Sequence, residues 1–599
     1  MASAGVMRLT PQQREAVRHS GNLLLTACPG SGKTRTLIAK LVEEIEGVRG
    51  SPRAVCCITY TNSAVQEIEQ RSKDQLQPGD EQHFLVSTIH AFCLNEIVRP
   101  YGWLAPTLAG AWRVLTRDNP DFEAICSYAA EHINLFQLSQ ADYEAFEGLC
   151  VDAHGQIIGV ARSNDAVLQA APHFWDRCAA LGYIDFGTIL YGAYCLMRDH
   201  PHITRTLCAR YPWFLIDEFQ DTTEIQIEIL KLLQDTGRSR FFVVGDLAQS
   251  IFTFAGARPE LVAPFGQYIA ARTDLSLSEN FRSSRRIISH AERLFPRHPI
   301  MTANGPNKEF NVEPLLVCNV TTFEAITEHY LPMLEAEGIA IGDATILARD
   351  WASLIALSRQ LRDFGTPVVG PGARPYRRSR LFSQLAEQLC GALVDPNQDT
   401  NRQLERALYH TIQDVTGTPR RDVFTHEGRV VLVRLMRQAL QLAQNSSALP
   451  WLDGMSQATG EILYKADYID SSQAGLFFAS VQEMKADMHR QRVDTANLTI
   501  DDLGLFASPS RALRLSTIHY AKGREYGAVA LIGLRHGSFP HYRADDIEAE
   551  KRLFYVGVTR ARKVLMYVAE RDRWNNPPSR FLGPDGVNVV EIGNSSEQH

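Results

Sequence analysis

The segment Asn22-Leu-Leu-Leu-Thr-Ala27-Cys28-Pro29-Gly30-Ser31-Gly32-Lys33-Thr34 joins a short apolar run to a glycine-containing loop ending in Gly-Lys-Thr. Backbone N–H groups can wrap a phosphate only where the chain bends tightly, which Gly30 and Gly32 permit. Lys33 then neutralises the β- and γ-oxygens and Thr34 ligates Mg²⁺, so the stretch reads as a nucleoside triphosphate site. Ala27 stands where the strict pattern has its first glycine. That change is mild, because the final Gly-Lys-Thr lies nearest the phosphates. A second chemical group follows in Trp213-Phe-Leu-Ile-Asp217-Glu218-Phe219-Gln220-Asp221, an apolar strand delivering two adjacent carboxylates. At a strand end one carboxylate can hold the metal shell while its neighbour, pointing elsewhere, deprotonates the attacking water. Asp217 is the expected metal ligand and Glu218 the expected base.

Two arginines are candidates for stabilising transition-state charge. Arg282, in Glu279-Asn280-Phe281-Arg282-Ser283, and Arg560, in Val558-Thr559-Arg560-Ala561-Arg562, each follow an apolar stretch. If the nucleotide lies between two domains, both reach it from the far side, where such contacts are worth roughly 10³ to 10⁵ in rate.

Positioning these groups requires strands that end at polar residues. Such runs recur at Asn22–Ala27, Ala54–Tyr60, Phe84–Thr88, Trp213–Ile216 and Phe241–Gly245, with helical patterns between them. The alternation predicts a parallel sheet covered by helices, with functional residues at the carboxyl ends of its strands. A second set, Ala344–Leu347, Pro367–Val369, Leu513–Thr517, Ala528–Leu534 and Val564–Val568, predicts another α/β domain. Between Cys93 and Asp185, and again from about 380 to 500, the pattern turns helical without strand alternation, as insertions would. The tail Asn594–His599 is polar and expected to fray.

At 599 residues the chain is long enough for several domains, and 45% hydrophobic content supports packed cores. Leu23–Ala27 is far too short to span a membrane and no later run approaches the length required, so a cytoplasmic protein without a leader is expected. Eleven cysteines lie between Cys28 and Cys390 with no Cys-x-x-Cys pair, and read as buried thiols in a reducing compartment. A net charge of −7 does not advertise nucleic-acid binding. A motor that grips a strand in a channel needs local charge and stacking faces rather than a basic surface overall. Tyr60, Phe92, Phe252 and Phe254 follow strand ends and are candidate stacking platforms, with core packing as the alternative.

Taken together these segments resemble the UvrD/Rep/PcrA family of superfamily 1 DNA helicases over nearly the whole chain. Leu9-Thr-Pro-Gln-Gln13-Arg-Glu-Ala-Val17 is similar to the family's adenine-reading segment, and Lys33-Thr34-Arg35 continues its phosphate loop. Thr59-Tyr60-Thr61-Asn62 and Ser87-Thr88-Ile89-His90-Ala91-Phe92 resemble its first strand-binding motifs. Asp217 to Asp221 matches its carboxylate box, and Val244-Gly-Asp-Leu-Ala-Gln249-Ser-Ile-Phe252 its coupling motif. Asn280-Phe281-Arg282-Ser283, Thr517-Ile-His519-Tyr-Ala-Lys522-Gly523-Arg-Glu525-Tyr526 and Tyr555-Val-Gly-Val-Thr-Arg560-Ala561 complete the series in family order.

The resemblance implies two RecA-like parallel-sheet P-loop domains, each interrupted by a mainly helical insertion, with ATP and Mg²⁺ in the cleft and single-stranded DNA crossing both. It implies a first domain over 1–94 and 186–284 with an insertion at 95–185. A second domain follows over 285–378 and 505–599 with a reduced insertion at 379–504. By similarity Gln13 and Phe281 serve the adenine, residues 27–35 the phosphates, Gln249 the γ-phosphate and Glu525 the ribose. Tyr60, Thr61, Asn62, His90, Phe92, Phe254 and His519 fall on the DNA side. The family's usual polarity is 3′ to 5′.

The chain departs from the family in three places. Phe254-Ala255 stands where members commonly carry Trp-Arg, which keeps a stacking ring and loses a positive contact. Thr416-Gly417-Thr418-Pro419-Arg420-Arg421 does not match the Gly-Ile-Gly duplex-contacting turn of longer members. The cluster Arg374-Pro-Tyr-Arg377-Arg378-Ser-Arg380 is either a phosphate contact or a solvated basic loop. No nuclease is expected in the 39 residues after Arg560. Two functions stay open: a helicase or translocase acting on tailed duplex DNA in repair or replication, or a DNA-stimulated ATPase subunit serving a separate nuclease partner, as short UvrD-like proteins do in anti-phage systems such as Gabija.

Overall fold

A computed structural model describes residues 8–592 apart from 74, 109, 111, 118, 120, 160, 162, 163, 397, 419, 572–575 and 583–589. The tail Asn594–His599 lies outside the described residues. The chain forms two compact units. The first comprises Met1–Ile288, Phe295–Glu309 and Lys551–Tyr555, and the second Ser289–Leu294, Phe310–Glu550 and Val556–His599.

The first unit is built on a six-stranded sheet in the order Ser276–Leu277, Leu23–Ala27, Arg240–Gly245, Trp213–Ile216, Val55–Thr59 and Phe84–Thr88. Every pairing in it is parallel. Side chains alternate between its faces, so Ile58, Phe214, Ile216, Phe241 and Val243 enter one core while Leu23, Leu25, Cys57, Leu215, Phe242 and Val244 enter another. Helices cover both faces, which is why the central strands are apolar throughout instead of alternating with polar residues. Five of the six strands coincide with the expected runs to within a residue. Ser276–Leu277 was missed because two residues carry no periodicity.

The segment from Cys93 to Asp185 is mainly helical, as expected, with its own core around Phe122, Phe146, Phe174 and Tyr183. It also holds two short pairings the sequence did not suggest. Arg113–Val114 lies parallel to Tyr183–Ile184, and Cys150–Val151 lies antiparallel to Ile157–Ile158.

The second unit holds a seven-stranded, wholly parallel sheet in the order Val368–Val369, Leu513–Thr517, Ala344–Ala348, Tyr526–Leu531, Ala561–Ala569, Leu315–Cys318 and Val590–Ile592. The last two in that order were absent from the expected set. The helices Ser383–Val394, Gln398–Thr416, His426–Leu442, Ala448–Lys465 and Leu476–Arg490 make the second insertion, packed around Trp451, Phe382 and Phe477.

The structure divides the basic cluster before this insertion: Arg377 and Arg378 are exposed, as in a solvated loop, while Arg374 and Arg380 are committed to carboxylates. Arg374 makes a two-pronged bond to the buried Glu387, at 2.6 and 3.0 Å. Arg380 does the same to Asp487, at 2.7 and 3.0 Å, and reaches Glu483 at 2.8 Å. Carboxylates more than a hundred residues away in Asp487 and Glu483 could not be matched to these arginines by local pattern. The guanidinium of Arg380, with a backbone N–H from Arg377 and the side chain of Arg490, holds the Asp487 carboxyl well below the usual carboxylate range. A depressed carboxyl adds stability above its unfolded pKa, near 3.9, and loses it as pH falls through the folded value. Asp487→Ala is therefore expected to cost roughly 3 kcal/mol at pH 7, because it removes a buried carboxylate that pairs with the partly buried Arg380. That cost should shrink below about pH 4. Urea melts at pH 7 and pH 3.5 check this, and equal cost at both would refute it.

The cysteines are all free thiols, most of them buried. No helix of the described residues is long and apolar enough to cross a membrane.

Candidate nucleotide and nucleic-acid site

The strand Leu23–Ala27 runs into a loop whose carbonyls are held outward by named donors. Asn280 Nδ2 donates to Pro29 O at 2.7 Å, the Phe281 N–H to Gly30 O at 2.8 Å, and Gln13 Nε2 to Ser31 O at 2.9 Å. A trans peptide sets each carbonyl opposite the next residue's N–H, so the N–H groups of Gly30 and Gly32 turn to the inner side. Both glycines have positive φ, 66° and 78°. A Cβ on Gly30 would sit 2.6 Å from Cβ of Arg282, and one on Gly32 would sit 2.9 Å from Nε2 of Gln13. The loop then enters the helix Lys33–Glu46 with Gly32 as its N-cap. Ala27 and Cys28 are buried, and burial pushes the Cys28 thiol up to about 12, so it is an inert packing group. Thr34 is half-buried behind Lys33, and Arg35 is exposed on the helix's first turn.

The two carboxylates arrive as the strand order requires. The Asp217 N–H extends the pairing of Trp213–Ile216 by donating to Ile58 O at 2.9 Å. Glu218 has φ 50°, a left-handed conformation that non-glycine residues rarely adopt and that costs roughly 1–3 kcal/mol. This kink turns two consecutive side chains in different directions. Burial, and secondly the charge of Glu218, push the Asp217 carboxyl up to about 7; Lys33 opposes that rise. Glu218 Oε2 accepts from Lys33 Nζ at 3.5 Å and from Gln220 Nε2 at 2.5 Å. Gln220 Oε1 accepts the Asp246 N–H at 2.9 Å, and Asp246 Oδ2 accepts from Gln249 Nε2 at 2.7 Å. Lys33, Glu218, Gln220, Asp246 and Gln249 thus form one connected polar network.

Gln13 is 2% exposed and has a structural part that the sequence did not mark. Its Oε1 accepts the Thr10 N–H at 2.9 Å in a capping box, so one amide fastens the helix Pro11–Arg18 to the phosphate loop. Lys40, which no motif marked, locks the other end of that helix. Its buried ammonium donates to Val17 O at 3.0 Å and His19 O at 2.7 Å. Arg282 is corrected: it stands beside Gly30 within the first unit and not across from it, because Asn280 and Phe281 pin its backbone to the loop.

An aromatic surface lies on the same unit. Tyr60 and Phe252 stack at 5.2 Å with 18° between planes, and Phe254 lies 6.1 Å from Phe252 with more than half its surface exposed. Thr61 and Asn62 are exposed beside them at the start of the helix Asn62–Lys73. His90 packs edge-on to Phe186 at 5.2 Å, and burial pushes its imidazole down to about 4, so it is neutral at pH 7. Phe92 is a correction. Its ring is 1% exposed and packs edge-on against Tyr211 and Phe214 in the core, so it cannot stack on a base. Helical geometry turns it inward from the short helix Ile89–Phe92.

In the second unit His519 lies on the short helix Ile518–Ala521, capped by Thr517 as Thr88 caps Ile89–Phe92 in the first. The repeated tetrapeptide Ser-Thr-Ile-His, at 87–90 and 516–519, was legible as two separate motifs and not as one local structure used twice. Next to it an unforeseen exposed pair, Trp351 and Tyr520, lies 6.1 Å apart with Arg524 over the Tyr520 ring at 4.7 Å. Glu525 pairs with Arg562 at 3.6 Å, and Arg562 also holds Asp343. Arg560 is 1% exposed and donates to Val556 O at 3.0 Å, Arg524 O at 3.2 Å and Thr559 Oγ1 at 3.2 Å.

A parallel sheet with a phosphate-cradling loop after one strand and a carboxylate pair after another defines a RecA-like P-loop protein. Comparison with known proteins gives the family. Residues 9–269 match the UvrD/REP helicase N-terminal domain, and residues 477–571 match the UvrD-like helicase C-terminal domain. ATP-dependent DNA helicase Rep of Salmonella typhimurium is 25% identical over 96% of this chain and 94% of its own. DNA helicase II of Escherichia coli is 26% identical over 97% and 88%, and ATP-dependent DNA helicase PcrA of Leuconostoc citreum 25% over 98% and 85%. The chain belongs to the UvrD-like superfamily 1 helicases, a family of ATP-dependent DNA helicases and therefore of hydrolases.

Proposed function

We propose that the protein hydrolyses ATP to move 3′ to 5′ along single-stranded DNA and unwinds tailed duplex in repair or replication, acting in the cytoplasm. One observation carries this reading. The loop that holds Gln249 in the polar network continues within five residues to Phe254 on the exposed aromatic surface, so a change at the phosphates has a short covalent route to a base-stacking platform. Stacking of that kind grips bases without reading sequence.

The residues fit a bound nucleotide and Mg²⁺. The loop takes its tight, positive-φ course because Gly30 and Gly32 have no Cβ to strike Arg282 and Gln13, and a buried carboxyl raised by burial is a group that a cation would ionise. Thr34 and Asp217 would hold Mg²⁺, which when bound neutralises charge on the phosphate oxygens. Lys33 leaves Glu218 for those oxygens, Glu218 accepts the proton of the attacking water, and Gln249 contacts the γ-phosphate. Arg282 stabilises the developing charge, Gln13 and Phe281 hold the base, and Arg35 continues the phosphate loop. The family pattern assigns Arg560 to the transition state, Glu525 to the ribose and His519 to DNA, and these three are part of the proposal. So are the domain limits 1–94 with 186–284, 95–185, 285–378 with 505–599, and 379–504.

Unwinding of 3′-tailed, 5′-tailed and blunt duplexes, measured beside DNA-stimulated ATPase, tests this. Unwinding confined to 3′-tailed substrate is expected, and preference for a 5′ tail would overturn the polarity. Ala255, in place of the family's usual arginine after the stacking ring, favours a second reading: a DNA-stimulated ATPase that regulates a separate nuclease in anti-phage defence. Hydrolysis without unwinding selects that one. In either case Phe254→Ala should weaken binding of an oligothymidylate by about tenfold, on the order of one base stack. Unchanged affinity by fluorescence anisotropy would remove Phe254 from the DNA path.

A further inference from the structure

We propose that Arg297 is a positioning residue for ATP hydrolysis, acting through Asp246 on the Gln249 side chain. This rests on the reading of the site given above. Arg297 belongs to none of the motifs that mark the chain, yet its side chain is only 15% exposed and its partner Asp246 only 1%. Nη2 of Arg297 donates to Asp246 Oδ1 at 2.6 Å, while the other oxygen of that carboxylate takes the Gln249 amide at 2.7 Å. Nη1 of the same guanidinium lies 3.4 Å from the carbonyl of Ala27, the last strand residue before the phosphate loop. One planar cation therefore sets the distance between the loop's origin and the carboxylate that aims the glutamine.

The same guanidinium holds a third element. Its Nη2 lies 2.9 Å from the buried Tyr555 hydroxyl, and its Cζ lies 5.7 Å from that ring's centre. Tyr555 belongs to the segment Lys551–Tyr555 of the first unit, whose Arg552 also donates to Ser250 O at 3.0 Å, one residue after Gln249. The Gln249 loop is thus fastened on one side through Asp246 and on the other through Ser250. A fork with donors in a fixed plane suits this task; a lysine ammonium carries the charge but cannot span three acceptors on one rigid group.

The test is Arg297→Lys in the full chain, alone and combined with Gln249→Ala. The variant is expected to keep its ATP KM within about threefold, because the bonds from Asn280, Phe281 and Gln13 that hold the phosphate loop remain, and to lose at least tenfold in DNA-stimulated kcat. If Arg297 acts through Gln249, the double variant should turn over like Gln249→Ala alone. A kcat within threefold of wild type, or losses that multiply in the double variant, would overturn the proposal. Should Arg297→Lys fail to fold, Asp246→Asn keeps the shape and removes the charge; the same kcat loss and non-additivity are expected, and wild-type turnover overturns it. Absence of DNA-stimulated hydrolysis in the wild-type protein would instead overturn the reading of the site itself.

Discussion

Replacing Lys33 by alanine is expected to lower ATP turnover by about 10³-fold or more, the scale on which one preorganised charge donor stabilises a transition state. Its side chain is only 11% exposed at the first turn of the helix that leaves the phosphate loop. Alanine leaves only a methyl group in that position. The substitution also removes the cation beside Glu218, leaving that carboxylate and the buried Asp217 to repel each other. Both effects oppose hydrolysis, while the apolar strand and helix that make the local core are untouched. Phosphate release at saturating DNA checks the expectation, with a thermal melt to show that the fold persists. Turnover near wild type would remove Lys33 from the chemistry and with it the assignment of the loop.

Glu218→Gln should separate binding from hydrolysis. The side chain keeps its shape and can still accept from Gln220, but it can no longer take a proton, so a loss of about 10² to 10⁴ in the hydrolysis step is expected. Nucleotide affinity should hold within about threefold or tighten, because one negative charge near the phosphates is gone. The Asp217 carboxyl should also fall from its raised value, since the charge of Glu218 is the second cause of that rise after burial. Single-turnover hydrolysis and equilibrium binding of a fluorescent nucleotide read the two effects apart. A variant that no longer binds nucleotide would make Glu218 a structural residue.

Much of this site was legible in the chain because its parts are local. An apolar strand followed by glycines and Gly-Lys-Thr has few conformations open to it, and five of six strands of the first sheet were placed from polar endings alone. Very short or late strands such as Ser276–Leu277 and Val590–Ile592 were not, since a two- or three-residue run has no period to detect. Phe92 and Phe254 show the same limit for side chains. Both are phenylalanines that follow a strand, and residue type alone leaves stacking and core packing open for each, with only the family resemblance favouring Phe254; one is buried among Tyr211 and Phe214 while the other is mostly exposed.

The amino-acid order by itself determined the two parallel-sheet architectures, the phosphate loop, the carboxylate pair and the family, because each rests on short local runs and on the order in which those runs follow one another along the chain. Tertiary structure alone decided which charges meet. Arg380 finds Asp487 107 residues away, and Arg297 joins Ala27 and Tyr555 across 270 and 258 residues. Such partners are selected by how sheets and helices pack, and a long arginine side chain can satisfy its charge in many directions until that packing leaves one.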